Sequence, residues 1–531
     1  MVSTQLLIGG RFYSSSSPDA TAMAVTDGTV VWLGAEAPGR AMHPDAEIVD
    51  LDGAFVAPAF VDPHVHVTAL GLQLTGLDVS GAKSLTELLE TVRIHAANQP
   101  DGVIIGEGWD DTTWPEQRSP TVAELDEAAG AGRLVYLARV DAHSAVASSA
   151  LLDAAGELGD GYQRGELLRA DAHHRVRTVA LAELTRAQRD SARKAALDAA
   201  AAHGIVAVHE CAGPDISGRD DIRELLAFEH GVAVRAYWGQ AVRTADEARA
   251  LIAELGVHAL GGDLFVDGSL GSHTALLRAP YADAAGCGKS FLDEDTVTAH
   301  LHACTEAGIQ AGFHAIGDAA MDTVVAGFAR VAAELGGPAI AARGHRVEHA
   351  EMTDAAAIEQ LAALGVIASV QPGFDAAWGG PDGMYATRLG AERAAGLNPF
   401  SAMAAAGISL AIGSDAPVTA MKPWEQVRAA VHHRTSGHGL SPRAAFAAAT
   451  RGAWRAGGVR DGMAGTLVPG APASYAVWDA GDLVVAAAAD TVQRWSTDPR
   501  SRVPGLPRLD PGAELPTCLR TVRDGTTIYT A

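Results

Sequence analysis

The sequence predicts an α/β protein built on a (β/α)8 TIM barrel, with a small composite β domain formed by both chain termini. Three observations lead there. The middle of the chain alternates apolar strand-like runs with Ala-rich helical stretches, the pattern of βα units around a parallel sheet. Residues able to bind metal or move protons fall at the ends of those runs. Both ends of the chain carry strand-turn-strand signals, and they can share one sheet only if the intervening chain returns to its start, as a closed barrel does.

In chain order, "QLLIGGRFY", "TAMAVTDGTVVWLG" with an Asp27-Gly28 hairpin turn, and "AEIVDLDGAFVAP" read as short strands. "GTLVPGAPASYAVWD" and "LRTVRDGTTIYTA", turning at Asp524-Gly525, echo them at the other end. The composite domain is therefore expected over residues 1–56 and 460–531, and the barrel over 57–459. "LTRAQRDSARKAALDAAAAHG" is a strong helix former, with Gly204 placed to end it before the strand "IVAVHE". Further strands are expected at "RLVYLARVDAH", "GVAVRAYW", "DLFVDGS", "QAGFHAIGD", "HRVEHAE", "GVIASVQP" and "ISLAIGSDAP", slightly more than a barrel needs. Residues 68 to about 135 show little regular alternation and are expected to form an insertion after the first strand.

Composition narrows the function. At 531 residues the chain can bury a barrel-sized core. The composition is globular, with 48% hydrophobic residues and a mean hydropathy of +0.09, and no apolar run is long enough to span a bilayer. The formal charge of −24 and the absence of a Lys/Arg cluster argue against nucleic acid as a partner. Cys211, Cys287, Cys304 and Cys518 lack paired spacing, which fits neither a disulfide framework nor a zinc knuckle. With no signal peptide at the N-terminus, a cytoplasmic location is expected. "GCGKS", ending at Ser290, lacks the first glycine of a phosphate loop, because Asp283 stands there, and it reads as an ordinary loop.

The residues closing the apolar runs are His64 and His66, Glu210, Asp267, His314, His349 and Asp415. In a barrel, the C-terminal strand ends converge on one face. Period-two alternation puts His64 and His66 on the same side of their strand. Singly, each has a plain structural reading. Together, imidazoles and carboxylates from separate strands suit a divalent ion such as zinc.

The motifs "PAFVDPHVHV", "GWDDTTW", "FVDGSLGSHTALL", "FHAIGDAAMD", "RVEHAE", "SVQP", "GSDAPV" and "ATRGAW…GTLVPG" resemble those of the amidohydrolase superfamily. The likeness is to the amidohydrolase-3 group, which includes YtcJ-like proteins and N-substituted formamide deformylases, and it runs from about residue 50 to about 480. It implies a distorted (β/α)8 barrel with one or two divalent metals, held by His64, His66, His314, His349 and Asp415. Many superfamily members bridge two metals with a carboxylated lysine, and related sequences often have lysine where this chain has Asp263. Asp263 or Glu210 is then the alternative carboxylate ligand. Asp267, beside "GSLGS", is either a site residue or a turn residue.

The expected activity is hydrolysis of a C–N bond in an amide, N-acyl or N-formyl small molecule by metal-bound hydroxide. The metal lowers the pKa of its water from about 15.7 toward about 7, and the resemblance assigns Asp415 the proton transfers. His143 and His273 are candidate oxyanion donors or plain polar residues, and Trp109, Trp114 and Trp378 candidate pocket walls or packing residues. Two rivals stand beside this reading. In one, the same metal scaffold supports ester hydrolysis, deamination or lyase or isomerase chemistry. In the other, the protein binds without catalysis. The expected partner is a small molecule, with a homodimer as the oligomeric guess.

Overall fold

A computed structural model describes residues 4–99, 102–159, 162, 163, 165, 167–485 and 504–531. Residues 486–503 of the expected C-terminal β segment therefore lie outside the described residues. The described chain is mixed α/β.

Strand β1 (Phe60–Val65) is buried along its whole length and leads directly into helix α1 (Val67–Thr75). A separate five-stranded sheet follows, made of β2 (Leu77–Asp78), β3 (Ile104–Trp109), β4 (Val135–Arg139), β5 (Ser144–Ala147) and β6 (Leu168–Arg169), in spatial order β6-β5-β4-β3-β2. The segment after β1, expected as an insertion over residues 68 to about 135, carries this sheet, which continues beyond 135 to Arg169. "RLVYLARVDAH" supplies β4 of this sheet, which accounts for the surplus strand. The pattern was hard to read because the helix at Leu85–Asn98 and a long connection separate its strands.

Helix α2 (Ala170–Ala182) packs on this sheet, and α3 (Arg186–Ala202) returns the chain. Thr185 caps α3, its Oγ1 accepting from Gln188 N while the Gln188 side chain reaches back to Thr185 N, two otherwise orphaned donors satisfied together. Gly204 then turns the chain with φ +74°, and a Cβ there would meet the Trp478 ring at 2.4 Å, so both conformation and space demand glycine.

The remaining parallel strands are β7 (Ile205–Ala212), β8 (Ala233–Trp238), β9 (Gly312–Ala315), β10 (Arg346–His349), β11 (Ile367–Val370) and β12 (Ser409–Ile412). β7 pairs with both β1 and β8, and β9 to β12 pair in sequence. Single parallel bridges join Tyr237 to Ala259, Leu260 to Ala311 and Phe265 to His314, and another joins Val65 to Ala416. The expected strand "DLFVDGS" is thus an irregular stretch held by bridges, with Gly261 and Gly262 at positive φ within the bridged stretch. Near-continuous apolar sequence suits strands covered on both faces, and the largest apolar cluster surrounds them.

Strands from the two ends of the chain pair with each other. Phe55–Pro58 and Thr517–Arg523 flank Tyr475–Asp479, and Thr526–Thr530 closes the edge. The two expected hairpin turns form as read, with positive φ at Asp27, Gly28, Asp524 and Gly525. They also touch: a Cβ on Gly28 would lie 2.5 Å from Asp524 O. All four cysteines are free. "GCGKS" is a loop. Among the described residues no helix is long and apolar enough to cross a membrane.

Candidate metal centre

The ends of β1, β9, β10 and β12 bring His64, His66, His314, His349 and Asp415 together around Asp263. His64 Nε2 lies 3.2 Å from Asp263 Oδ1 and 3.4 Å from Asp415 Oδ1. His66 Nε2 is 3.2 Å from Asp263 Oδ2 and 3.2 Å from Asp415 Oδ1. His349 Nε2 is 4.0 Å from Asp263 Oδ1, and the His314 and His349 ring centroids are 4.4 Å apart. Three triads within the cluster, His64–His66–Asp263, His64–His349–Asp415 and Asp263–His314–His349, have ligand atoms within 4.8 Å of one another.

Backbone bonds set this convergence. Asp415 N donates to His64 O and His66 N to Ala416 O, both at 2.9 Å, so the turn after β12 is stitched to the end of β1. Asp62 reinforces it by accepting from Ser414 Oγ at 2.6 Å. His349 and Asp415 both occupy the left-handed region, φ +67° and +54°. For residues with a Cβ that is a strained conformation, of the kind that collects where side chains must be aimed precisely.

The electrostatics favour a cation. Burial works to lower the His66 pKa, yet Asp263 and Asp415 beside it raise it to about 10. His64 likewise rises despite burial, with Asp263 and Asp415 beside it. Burial works to raise Asp263, but His64 and His66 hold it well below the usual carboxylate range. Burial, with His314 and His64 alongside, keeps His349 neutral, the form that ligates metal. His64 Nε2, both His314 nitrogens, Asp263 Oδ1 and Asp415 Oδ1 are buried without a hydrogen-bond partner. Buried polar atoms are almost always paired, so this donor set fits a divalent ion of the zinc type.

The other expected site residues divide. His143 enters the cavity over the cluster, its ring 5.2 Å from His314 and 5.5 Å from Phe265, and burial pushes it down to about 3, so it is a neutral imidazole. Trp378 lines a side pocket with His349 and Phe374. Glu210 is corrected as a ligand. It borders the cavity, but its Oε2 accepts from Val67 N at 2.7 Å, capping α1, and it belongs to none of the ligand groups. Asp267 is corrected as a substrate contact: it is fully buried and accepts from Leu276 N, Ile316 N and Gly317 N, holding the turns behind His314. His273 is corrected too, because its Nε2 pairs with Asp283 at 3.0 Å and it lines neither pocket. Trp109 and Trp114 are corrected from pocket walls to core residues. Their rings lie 6.0 Å apart and tilted in one buried cluster, with their indole N–H groups on Leu137 O and Ala82 O.

Sequence reasoning missed the layer behind the histidines. Glu348 Oε2 lies 3.0 Å from His64 Nδ1, and Gln371 Oε1 lies 2.8 Å from His349 Nδ1. Arg346, fully buried, grips Glu348 with two bonds at 2.9 and 2.7 Å. The signal was present: in "HRVEHAE" Arg346 and Glu348 are two apart, on one side of β10. A second missed set, Glu107, Tyr136, His174 and Arg177, comes from the five-stranded sheet and α2 and lines the outer part of the same cavity, about 870 Å³ including space open to solvent.

Comparison with known proteins identifies relatives over most of the chain. The chain is 27% identical over 424 residues to the putative amidohydrolase YtcJ of Bacillus subtilis, covering 74% of this chain and 76% of that one. It is 27% identical over 482 residues to the N-substituted formamide deformylase of Arthrobacter pascens, covering 81% and 83%. A metal-dependent hydrolase of Pyrococcus horikoshii superposes with a TM-score of 0.70 at 25% identity, over 90% of this chain and 98% of that one. The profile of the amidohydrolase family matches residues 47–529, and the chain belongs to that family.

Proposed function

We propose that this protein is a metal-dependent hydrolase cleaving a C–N bond in an amide, N-acyl or N-formyl small molecule, with His64, His66, Asp263, His314, His349 and Asp415 holding one or two divalent ions, zinc by ligand type. The carrying observation is the set of buried, unpartnered nitrogens and carboxylate oxygens facing one another across a few ångströms. A divalent ion held there would activate water and polarise a carbonyl. Asp415 then takes a proton from the attacking water and returns it to the departing nitrogen. The neutral imidazole of His143 donates to the carbonyl oxygen as charge develops on it. Apolar walls exclude bulk water and hold the acyl group.

The scaffold reading belongs with this. The parallel pairings from β1 through β7 and β8, the bridged stretch 259–267, and β9 to β12, with the Val65–Ala416 bridge, support a distorted (β/α)8 barrel. The pairing of strands from both chain ends supports a composite β domain. The five-stranded sheet of residues 77–169 is an insertion roofing the active site.

The name of the Arthrobacter relative favours amide cleavage over the ester and deamination alternatives. The test is metal content per chain, followed by amine release from a panel of small amides and formamides set beside matched esters and aryl amines. One or two zinc equivalents with amine release supports the reading. Ester cleavage or ammonia release alone moves the chemistry to the rival, and protein that neither retains nor responds to metal removes it.

A further inference from the structure

The outer half of the cavity has a chemistry of its own. α2 presents His174, Arg177 and Leu181 to it, spaced by three and four residues and so on one helix face. Opposite stand β3 and β4, whose register sets Tyr136 beside Ile105 and Ala138 beside Glu107, all four lining the cavity. The same space contains His66, Asp263 and Asp415. A molecule reacting at the cluster thus extends its far end toward Arg177.

Among the described residues Arg177 has no acidic partner within 4 Å. Its guanidinium donates from Nη2 to Asp215 O, its Nε is buried without a hydrogen bond, and no carboxylate lies within 4 Å among the described residues. A guanidinium stays charged at every working pH, and Arg177 is half-buried on the cavity wall. Glu107, the nearby carboxyl, carries no hydrogen bond or ion pair among the described residues. Burial pushes it up to about 7 against the pull of Arg177 and His66, with Asp78 adding to the rise. Leu72, Ile105, Leu181 and Ile216 make the surrounding wall apolar. In a chain of net charge −24, a local cation facing a cavity favours an anion there.

We propose that Arg177 anchors a carboxylate at the end of the substrate remote from the scissile bond, so that the enzyme acts on N-acyl or N-formyl compounds bearing a distal carboxylate on an apolar spacer. This rests on the hydrolase reading above. The fork geometry of arginine suits bidentate carboxylate binding.

The test uses the metal-loaded full chain and three matched N-acyl compounds that differ only at the distal end: carboxylate, carboxamide or ammonium. The expected result is a kcat/KM at least tenfold higher for the carboxylate than for the carboxamide. Arg177→Gln should abolish that preference through KM while leaving the carboxamide within threefold, which also shows that the variant folds, and Arg177→Lys should restore part of it. Equal turnover of all three compounds, or a carboxylate preference unchanged in Arg177→Gln, overturns the subsite and leaves the hydrolase reading intact. A preference for ammonium lost in Glu107→Gln overturns it in favour of cation recognition by Glu107. If none is hydrolysed, thermal stabilisation by the carboxylate compound in wild type but not in Arg177→Gln keeps the subsite while the hydrolase reading falls, and absence of that stabilisation overturns the subsite as well.

Discussion

Glu348 stands directly behind His64, its Oε2 3.0 Å from the imidazole Nδ1. Both side chains are fully buried, and Arg346 fixes the carboxylate from the other side. With Nδ1 held by this carboxylate, Nε2 is the His64 atom that faces Asp263 and Asp415 and would ligate a metal there. A carboxylate in this position orients the ring and raises its basicity toward metal. Glu348→Gln should lower zinc affinity about 10- to 100-fold, read by competition with a chelator of known affinity. Glu348→Ala should in addition cost about 3–5 kcal/mol of stability, because Arg346 is left buried and unpaired. Unchanged zinc affinity in Glu348→Gln would show that the carboxylate does no more than pack.

His143 and His273 looked alike in the sequence, and the structure separates them. His143 lies over the cluster as a neutral imidazole, whereas His273 is tied to Asp283 outside the cavity. His143→Ala should lower kcat about 10²- to 10³-fold, the usual loss for an oxyanion donor, with metal content unchanged. His273→Ala should leave kcat and KM within about twofold, as surface changes do. Equal effects of the two substitutions would remove His143 from the mechanism.

What could be read in the sequence follows from the geometry of strands. His64, His66, His314, His349 and Asp415 close apolar runs, and parallel strands deliver their ends to one place, so a one-dimensional pattern carries three-dimensional information. Asp263 was readable only as a departure from a familiar motif, and its segment is bridged rather than paired as a ladder. Glu210 sits at a strand end like the others, yet its carboxylate turns to the first N–H of α1, a difference that periodicity does not encode. Glu107 and Arg177 were invisible because they reach the cavity from a second sheet and from the helix packed on it, whose placement depends on long-range packing.

The tryptophans divide in the same way, and the division is measurable. Trp109 is fully buried between strands and helices of the inserted sheet, while Trp378 borders the pocket beside His349. Trp109→Ala should cost about 3–5 kcal/mol in urea unfolding, with KM unaltered in the fraction that remains folded. Trp378→Ala should raise KM by a few-fold to about tenfold, in line with about 0.5–1.5 kcal/mol for a lost aromatic contact. The opposite assignment of effects would put the pocket wall at Trp109 instead of Trp378.

Acid stability should be governed in part by two histidines away from the metal centre. His345 is fully buried, its Nδ1 accepting from Ala311 N at 2.8 Å and its Nε2 paired with Thr305 Oγ1 at 3.0 Å. Burial, with His300, Arg343 and Arg460 nearby, pushes it down to about 3. His300 accepts from Val242 N at 3.2 Å, and burial pushes it down to about 4. In the unfolded chain both titrate near about 6.5. Between these values the unfolded state binds more protons than the folded one, so stability rises with pH. The contribution is complete above about 6.5 and is lost as pH falls toward 4, by up to about 1.4 kcal/mol per pH unit for each histidine. Urea unfolding at pH 7.5, 6.0 and 5.0 should show that decline, and His345→Gln should flatten it by one histidine's share. A variant whose pH slope matches wild type would assign the acid sensitivity to other groups.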